Sequence, residues 1–174
     1  LNILPTSSDS WFYEQFVSPQ YGGMEIIMKK IAIACDHGGY PLKLAVMQYL
    51  EKEGYTCQDF GCDGPESVDY PDYGVPACEA VAAGTCDRAI LICGTGIGMS
   101  MCANKVRGIR AACCSDTFSV RMTRLHNDAN VLCFGARVVG EGLALDLVEL
   151  FLKTEFMGGY HCGRIEKVMK IENR

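Results

Sequence analysis

Ala89-Ile90-Leu91-Ile92-Cys93-Gly94-Thr95-Gly96-Ile97-Gly98-Met99 is the stretch from which the fold can be read. Four apolar residues suited to a buried strand run into a cysteine, then into three glycines at alternate positions, then into a helix-like segment. In α/β proteins, ligands bind where strands end and helices begin. Glycines there let backbone N–H groups approach an anion, and a helix N-terminus adds partial positive charge. The same field favours the thiolate of a cysteine at that junction. One short stretch thus offers a base or nucleophile beside a hole for negative charge. The plain alternative is that Cys93 is a small buried hydrophobe before a turn.

The glycine pattern is GxGxG, because Met99 stands where a dinucleotide fingerprint has its last glycine. The loop also follows the third strand and not the first, so a dinucleotide site is not expected.

Outward from this stretch, strand and helix patterns alternate. Lys29–Cys35 reads as a strand and Asp36-His37-Gly38-Gly39 as a turn. Pro41 suits a first helical turn, and Leu42, Ala45, Val46, Tyr49 and Leu50 recur at helical spacing to about Glu53. Tyr55–Phe60 is a second strand, residues 61–72 a loop, and Tyr73–Ala83 a second helix. After strand Arg88–Cys93, a helix is expected to about Val106, then a strand over Arg110–Cys114. Asp116 can cap a helix to Asn127. Asn130–Gly135 is the fifth strand, Leu143–Phe156 a long amphipathic helix and His161–Asn173 a last helix. This alternation predicts a five-stranded parallel sheet covered on both faces, a three-layer Rossmann-like fold. Right-handed crossovers then bring Asp36, Cys93 and the loop after Gly135 to one rim. The last helix has no evident place on the sheet and could reach a second subunit.

The chain's 174 residues fit one main domain. Residues 28–174 hold the pattern. Residues 1–27 differ: they hold the sole tryptophan, Trp11, and Asp9, Glu14 and Glu25 with no Lys or Arg. They carry −3 of the net charge of −5. They have neither the basic start nor the apolar stretch of a secretory signal, and are expected to be an appendage. The negative balance argues against nucleic acid or an anionic membrane as main partner. No apolar run reaches the roughly 20 residues of a membrane span. The 11 cysteines form no CxxC pair and no zinc spacing. They read as free thiols of a cytoplasmic protein.

Other residues could carry chemistry. His126, in Leu125-His126-Asn127-Asp128, ends a helix, where imidazolium is favoured. It could equally be a solvated helix-end residue. Asp36-His37 could be a catalytic pair, a phosphate contact or turn chemistry. Arg137 and Arg164, after strand five and in the last helix, are single arginines of the kind usually solvated, but Arg137 lies on the Cys93 rim, where a guanidinium suits phosphate. A thiolate beside a carbonyl, donors for an enediolate, a histidine for a sugar oxygen and arginines for a phosphate add up to a metal-free aldose–ketose isomerase. A metal-dependent sugar isomerase would need clustered carboxylates and histidines, and the three histidines are scattered.

From about Met28 onward the chain resembles the type B ribose-5-phosphate isomerases, the family that also holds galactose-6-phosphate isomerase subunits. The matching motifs are Cys35-Asp36-His37-Gly38-Gly39, Asp69-Tyr70-Pro71, Ile92 to Gly98, Asn104-Lys105, Gly108-Ile109-Arg110-Ala111, His126-Asn127-Asp128-Ala129-Asn130-Val131 and Gly135-Ala136-Arg137-Val138-Val139-Gly140. The resemblance implies interconversion of ribose 5-phosphate and ribulose 5-phosphate, a step of the pentose phosphate pathway, with no cofactor. It implies Cys93 as the base moving a proton between C2 and C1, positioned by Thr95. It makes Gly94, Thr95, Gly96, Ile97 and Gly98 the anion hole and His126 the acid/base that opens the furanose. Asp36, His37 and Asn127 become substrate contacts, and Arg137 and Arg164 phosphate contacts. Tyr70 and Tyr160 complete the candidates. Many relatives carry arginine where this chain has Tyr160, which implies weaker phosphate affinity or a different sugar preference. Some ribose enzymes of the family also accept allose 6-phosphate, so isomerisation of allose or galactose 6-phosphate is the alternative. The family also implies a homodimer or homotetramer with shared sites. A non-catalytic phosphate- or nucleotide-binding module on the same fold is the other class, and it would have no need of a thiol at position 93.

Overall fold

The computed structural model describes residues 30–173. The extension over residues 1–27 and the residues at 28 and 29 lie outside them. Five strands alternate with helices: β1 (Lys30–Cys35), α1 (Tyr40–Lys52), β2 (Thr56–Asp59), α2 (Pro71–Ala82), β3 (Arg88–Cys93), α3 (Ile97–Ala103), β4 (Ala111–Cys113), α4 (Thr117–Asn127), β5 (Val131–Gly135), α5 (Glu141–Lys153) and α6 (Tyr160–Met169), which ends in a 3-10 turn, Lys170–Asn173. The sheet is parallel throughout, in the order β2-β1-β3-β5-β4.

Alternate residues of each strand face opposite layers. Ile31, Ile33, Ile90, Ile92, Leu132 and Phe134 meet α1, α4 and α5 through Val46, Leu50, Val120, Leu147 and Phe151. Ala32, Ala34, Leu91, Cys93 and Cys133 meet α2 and α3 through Ala77, Cys78, Met99 and Ala103. Both strand faces are thus buried, which is why β3 from Ala89 to Cys93 reads as an unbroken apolar run. Small residues dominate the second face, so α2 and α3 lie close to the sheet.

The helix after β1 covers one face and the helix after β3 the other. The crevice between these neighbouring strands at their C-terminal ends is therefore the topological switch point, the usual ligand site in open α/β sheets. Asp36 N–H donates to Ile92 O at 3.1 Å, and Ala136 N–H donates to Cys93 O at 2.8 Å. These bonds join the three loops into the one rim expected from the sequence.

Asp116 caps α4, which ends at Asn127 as expected, but the ends of three other helices depart from expectation. α2 begins at Pro71 and not Tyr73, because proline lacks only an N–H that a first turn cannot use. α3 stops at Ala103, short of Val106, where Asn104 turns to bind both N–H and C=O of Ala111 at 2.9 Å. α5 stops at Lys153, short of Phe156. There the guanidinium groups of two buried arginines take its last carbonyls: Arg88 bonds Phe151 O and, at 3.1 Å, Leu152 O, while Arg124 bonds Thr154 O at 3.2 Å. α6 lies outside the three layers, against α4, with Met157 N–H donating to Leu125 O at 3.1 Å.

Candidate active site

Cys93 closes β3, is 5% exposed and points to the α2/α3 side. Its sulfur accepts the Gly96 N–H at 3.0 Å. Gly96 can make that bond because it sits at φ +80°, a conformation other residues resist. A Cβ there would also fall 2.7 Å from the Phe134 backbone and 2.9 Å from Cys113 Sγ. Ile97 N–H donates to Thr95 Oγ1 at 3.3 Å, so Thr95 begins the α3 turn. Ser100 N–H is the first to bond back, to Gly96 O at 3.0 Å. The preceding N–H groups of Gly98 and Met99 have no carbonyl within the helix to pair with.

Around this loop stand other candidates. A Cβ on Gly94 would lie 3.6 Å from Arg137 Nε, so that guanidinium lies over the loop, and Arg137 N–H donates to Gly94 O at 3.1 Å. A Cβ on Gly98 would lie 2.9 Å from the Tyr70 Cζ, so the Tyr70 ring covers the start of α3. Asp36 Oδ1 accepts from the N–H groups of Gly38 and Gly39 at 2.9 and 3.1 Å. His37 Nδ1 accepts from Val68 N–H at 3.2 Å. Of the readings left open for Asp36-His37, a hydrogen-bonded catalytic pair does not form: each residue holds backbone instead. With Nδ1 accepting, a neutral His37 carries its proton on Nε2, as a donor toward a ligand.

His126, Asn127, Arg164 and Tyr160 are elsewhere. α4 runs antiparallel to the strands, so its C-terminus lies at the N-terminal edge of the sheet, the opposite edge from Cys93. Cys93 pairs in register with Gly135, whereas His126 precedes Val131 at the other end of the same strand. Four strand steps separate those ends by roughly 13 Å. The His126 end is fixed by Asp128, a left-handed residue at φ 46° clamped by Arg110 at 3.0 Å and Arg124 at 2.8 Å. A cavity of about 450 Å³ opens there, lined by His126, Asn127, His161, Arg164, Arg110 and Asn104 among others. Within it, His126 and His161 stack with centroids 4.4 Å apart and planes 13° apart. Tyr160 packs on His161 at 4.1 Å, and the Arg164 guanidinium lies 4.9 Å above the Tyr160 ring. His161 was not a candidate from sequence. It is 3% exposed and its pKa lies below the ordinary histidine value, through burial first and then through His126 and Arg164.

The cysteines other than Cys93 divide by burial. All are free, and burial pushes the thiols of Cys35 and Cys78 up to about 12 and those of Cys57 and Cys114 up to about 11. These stay protonated at neutral pH and serve as core. Among the described residues, no three of His, Cys, Asp and Glu group to hold a metal ion, and no helix is long and apolar enough to cross a membrane.

Comparison with known proteins gives a consistent result. Residues 31–168 match the model of the family described as Ribose/Galactose Isomerase. Ribose-5-phosphate isomerase B of Escherichia coli K12 is 47% identical over 147 residues, 84% of this chain and 99% of that protein. A D-erythrulose-4-phosphate isomerase of Pectobacterium atrosepticum is 41% identical over 84% of this chain and 97% of its own. Among solved structures, ribose-5-phosphate isomerase B of Clostridium thermocellum superposes with a TM-score of 0.82 at 56% identity, covering 83% of this chain and 97% of that one.

Proposed function

The chain belongs to the ribose/galactose isomerase family and is a sugar phosphate isomerase, and from that premise we propose that it interconverts ribose 5-phosphate and ribulose 5-phosphate through an enediolate, without a metal. The observation that carries this reading is the Cys93 sulfur at the switch point, bonded by Gly96 N–H at 3.0 Å. Cys93 removes the C2 hydrogen of the open-chain aldose as a proton and returns one to C1. A proton passes from O2 to O1, and the ketose forms. The Gly94 to Gly98 loop supplies backbone donors for the enediolate oxygens, each worth a few kcal/mol. The N–H groups of Gly96 and Ile97 are held by Cys93 Sγ and Thr95 Oγ1, which leaves the Gly98 N–H among those free for this task. Asp36, His37 and Tyr70 contact the sugar, and the phosphate is held by Arg137 together with Arg164 of the partner subunit, since Arg164 stands with His126 at the opposite sheet edge from Cys93.

His126 opens the furanose: it passes a proton to the ring oxygen as the C1–O4 bond breaks, and the anomeric hydroxyl gives up its proton to water as the C1 carbonyl forms. It does so from a second copy of the chain, because His126 and Cys93 of one chain stand on opposite sheet edges. A two-fold dimer then has two equivalent sites, each with Cys93 of one chain and His126 and Asn127 of the partner subunit. Exposed apolar side chains on α3 (Ile97, Met101) and α6 (Val168) support such a contact. Tyr160 and the erythrulose-phosphate relative favour one further reading, a sugar of another length.

The test is turnover of ribose 5-phosphate in EDTA by the natural sequence and by Cys93→Ala. Loss of a general base costs about 10²- to 10⁴-fold, with substrate binding retained. Near-normal turnover by Cys93→Ala would overturn the assignment of the base. Inactivity of both proteins would overturn the choice of sugar.

A further inference from the structure

The His126 cavity contains a residue to which the reaction outlined above gives no part. His161, in the first turn of α6, is 97% buried by its 3% exposure, yet its Nε2 has no hydrogen-bond partner among the described residues. Buried imidazoles are usually anchored by an edge, through a ring nitrogen. Here the contacts that define the ring are to its neighbours' π surfaces: His126 at 4.4 Å and nearly parallel, Tyr160 at 4.1 Å. Tyr160 in turn carries the Arg164 guanidinium at 4.9 Å. Four side chains therefore make one column, Arg164–Tyr160–His161–His126, and both its ends line the same cavity.

We propose that His161 is a positioning residue for ring opening: its ring fixes the plane of the His126 imidazole, and the column it centres ties that plane to the Arg164 guanidinium. The inference rests on the reading of His126 as the ring-opening acid/base. A proton transfer needs its donor held in direction as well as distance, and a misplacement of about 1 Å can cost 10²-fold. His126 itself sits on the last turn of α4 with no side-chain hydrogen bond that would set its ring plane among the described residues, so the stack is what sets it. A neutral partner is required for this task, since two charged rings face to face would repel. Burial lowers the His161 pKa and so favours its uncharged form, and a neutral π face is also favourable toward a neighbour that holds the proton it delivers to the ring oxygen. Tyr160 takes part through its own ring, so an arginine at that position would change the column.

The two halves of the reaction can be read apart. Ribose 5-phosphate is mostly a furanose and must be opened. Ribulose 5-phosphate cannot close one, because its C5 oxygen carries the phosphate, so exchange of its C1 proton with D₂O needs Cys93 and no ring opening. In the full-length chain, His161→Ala should lower kcat on ribose 5-phosphate about tenfold or more while C1 exchange stays within about twofold. His161→Phe, which keeps a ring and removes the nitrogens, should recover most of the loss. Unchanged kcat in His161→Ala, an equal fall in both readouts, or a Phe variant as impaired as Ala would each overturn the inference. His126→Asn runs in parallel: if it spares ribose 5-phosphate turnover, the reading of His126 is at fault, and the inference falls with it.

Discussion

At residue 96 the difference between glycine and alanine is one methyl group, and the Cys93 loop has no space for it. Gly96 holds φ +80°, its N–H is bonded to Cys93 Sγ, and any Cβ would strike the Phe134 backbone, which cannot step aside. Gly96→Ala should cost about 2 kcal/mol or more in stability and remove turnover, whereas Gly140→Ala, with nothing within 4 Å of its Cβ, should leave both near normal. Urea unfolding and turnover of the two variants check this. A loop of this kind is legible in sequence because glycine is nearly the sole residue for such a position, so the spacing in Cys93-Gly94-Thr95-Gly96 announces the turn. His161 is not legible that way. Its burial depends on α6 folding back onto α4, and nothing in the local sequence around Tyr160 says which ring will meet it.

At the scale of elements, the strands were legible, as were the Asp116 cap and the Asn127 end of α4, but the C-terminal ends of α3 and α5 were not. A strand buried on both faces is apolar along most of its length, so β1, β3 and β5 declare themselves in the chain, Arg88 at the start of β3 excepted. The end of α5 is decided from far away. Leu150, Phe151, Leu152 and Phe156 continue an apolar pattern past Lys153, but Arg88, 63 residues earlier, takes the Phe151 carbonyl, and Arg124 takes that of Thr154. Both arginines are buried, and Arg88 is held down to about 10 by burial and by Arg124, so it remains a cation at neutral pH. Cations there oppose the negative end of the helix dipole. Arg88→Leu should destabilise the protein by about 1–3 kcal/mol, because it leaves buried carbonyls unpaired. Loss of the expected shift in the urea midpoint would show that those carbonyls find other partners.

For the whole molecule, the sequence named nearly all the candidate residues but could not say how they are divided. In a parallel sheet every helix returns the chain to the opposite edge, so a residue ending a strand and a residue ending a helix stand a sheet's length apart. Cys93 is the first kind and His126 the second. Within one chain they cannot meet, and the proposed site shared between two chains would join them. The most direct measurement is complementation. Cys93→Ala and His126→Asn, each inactive alone on ribose 5-phosphate, are unfolded together, refolded as a mixture and assayed. In a mixed dimer one site carries both substitutions and the other carries neither. Random pairing should then restore about a quarter of the natural activity, since half the dimers are mixed and each has one intact site. A mixture as inactive as its two components would contradict the shared site.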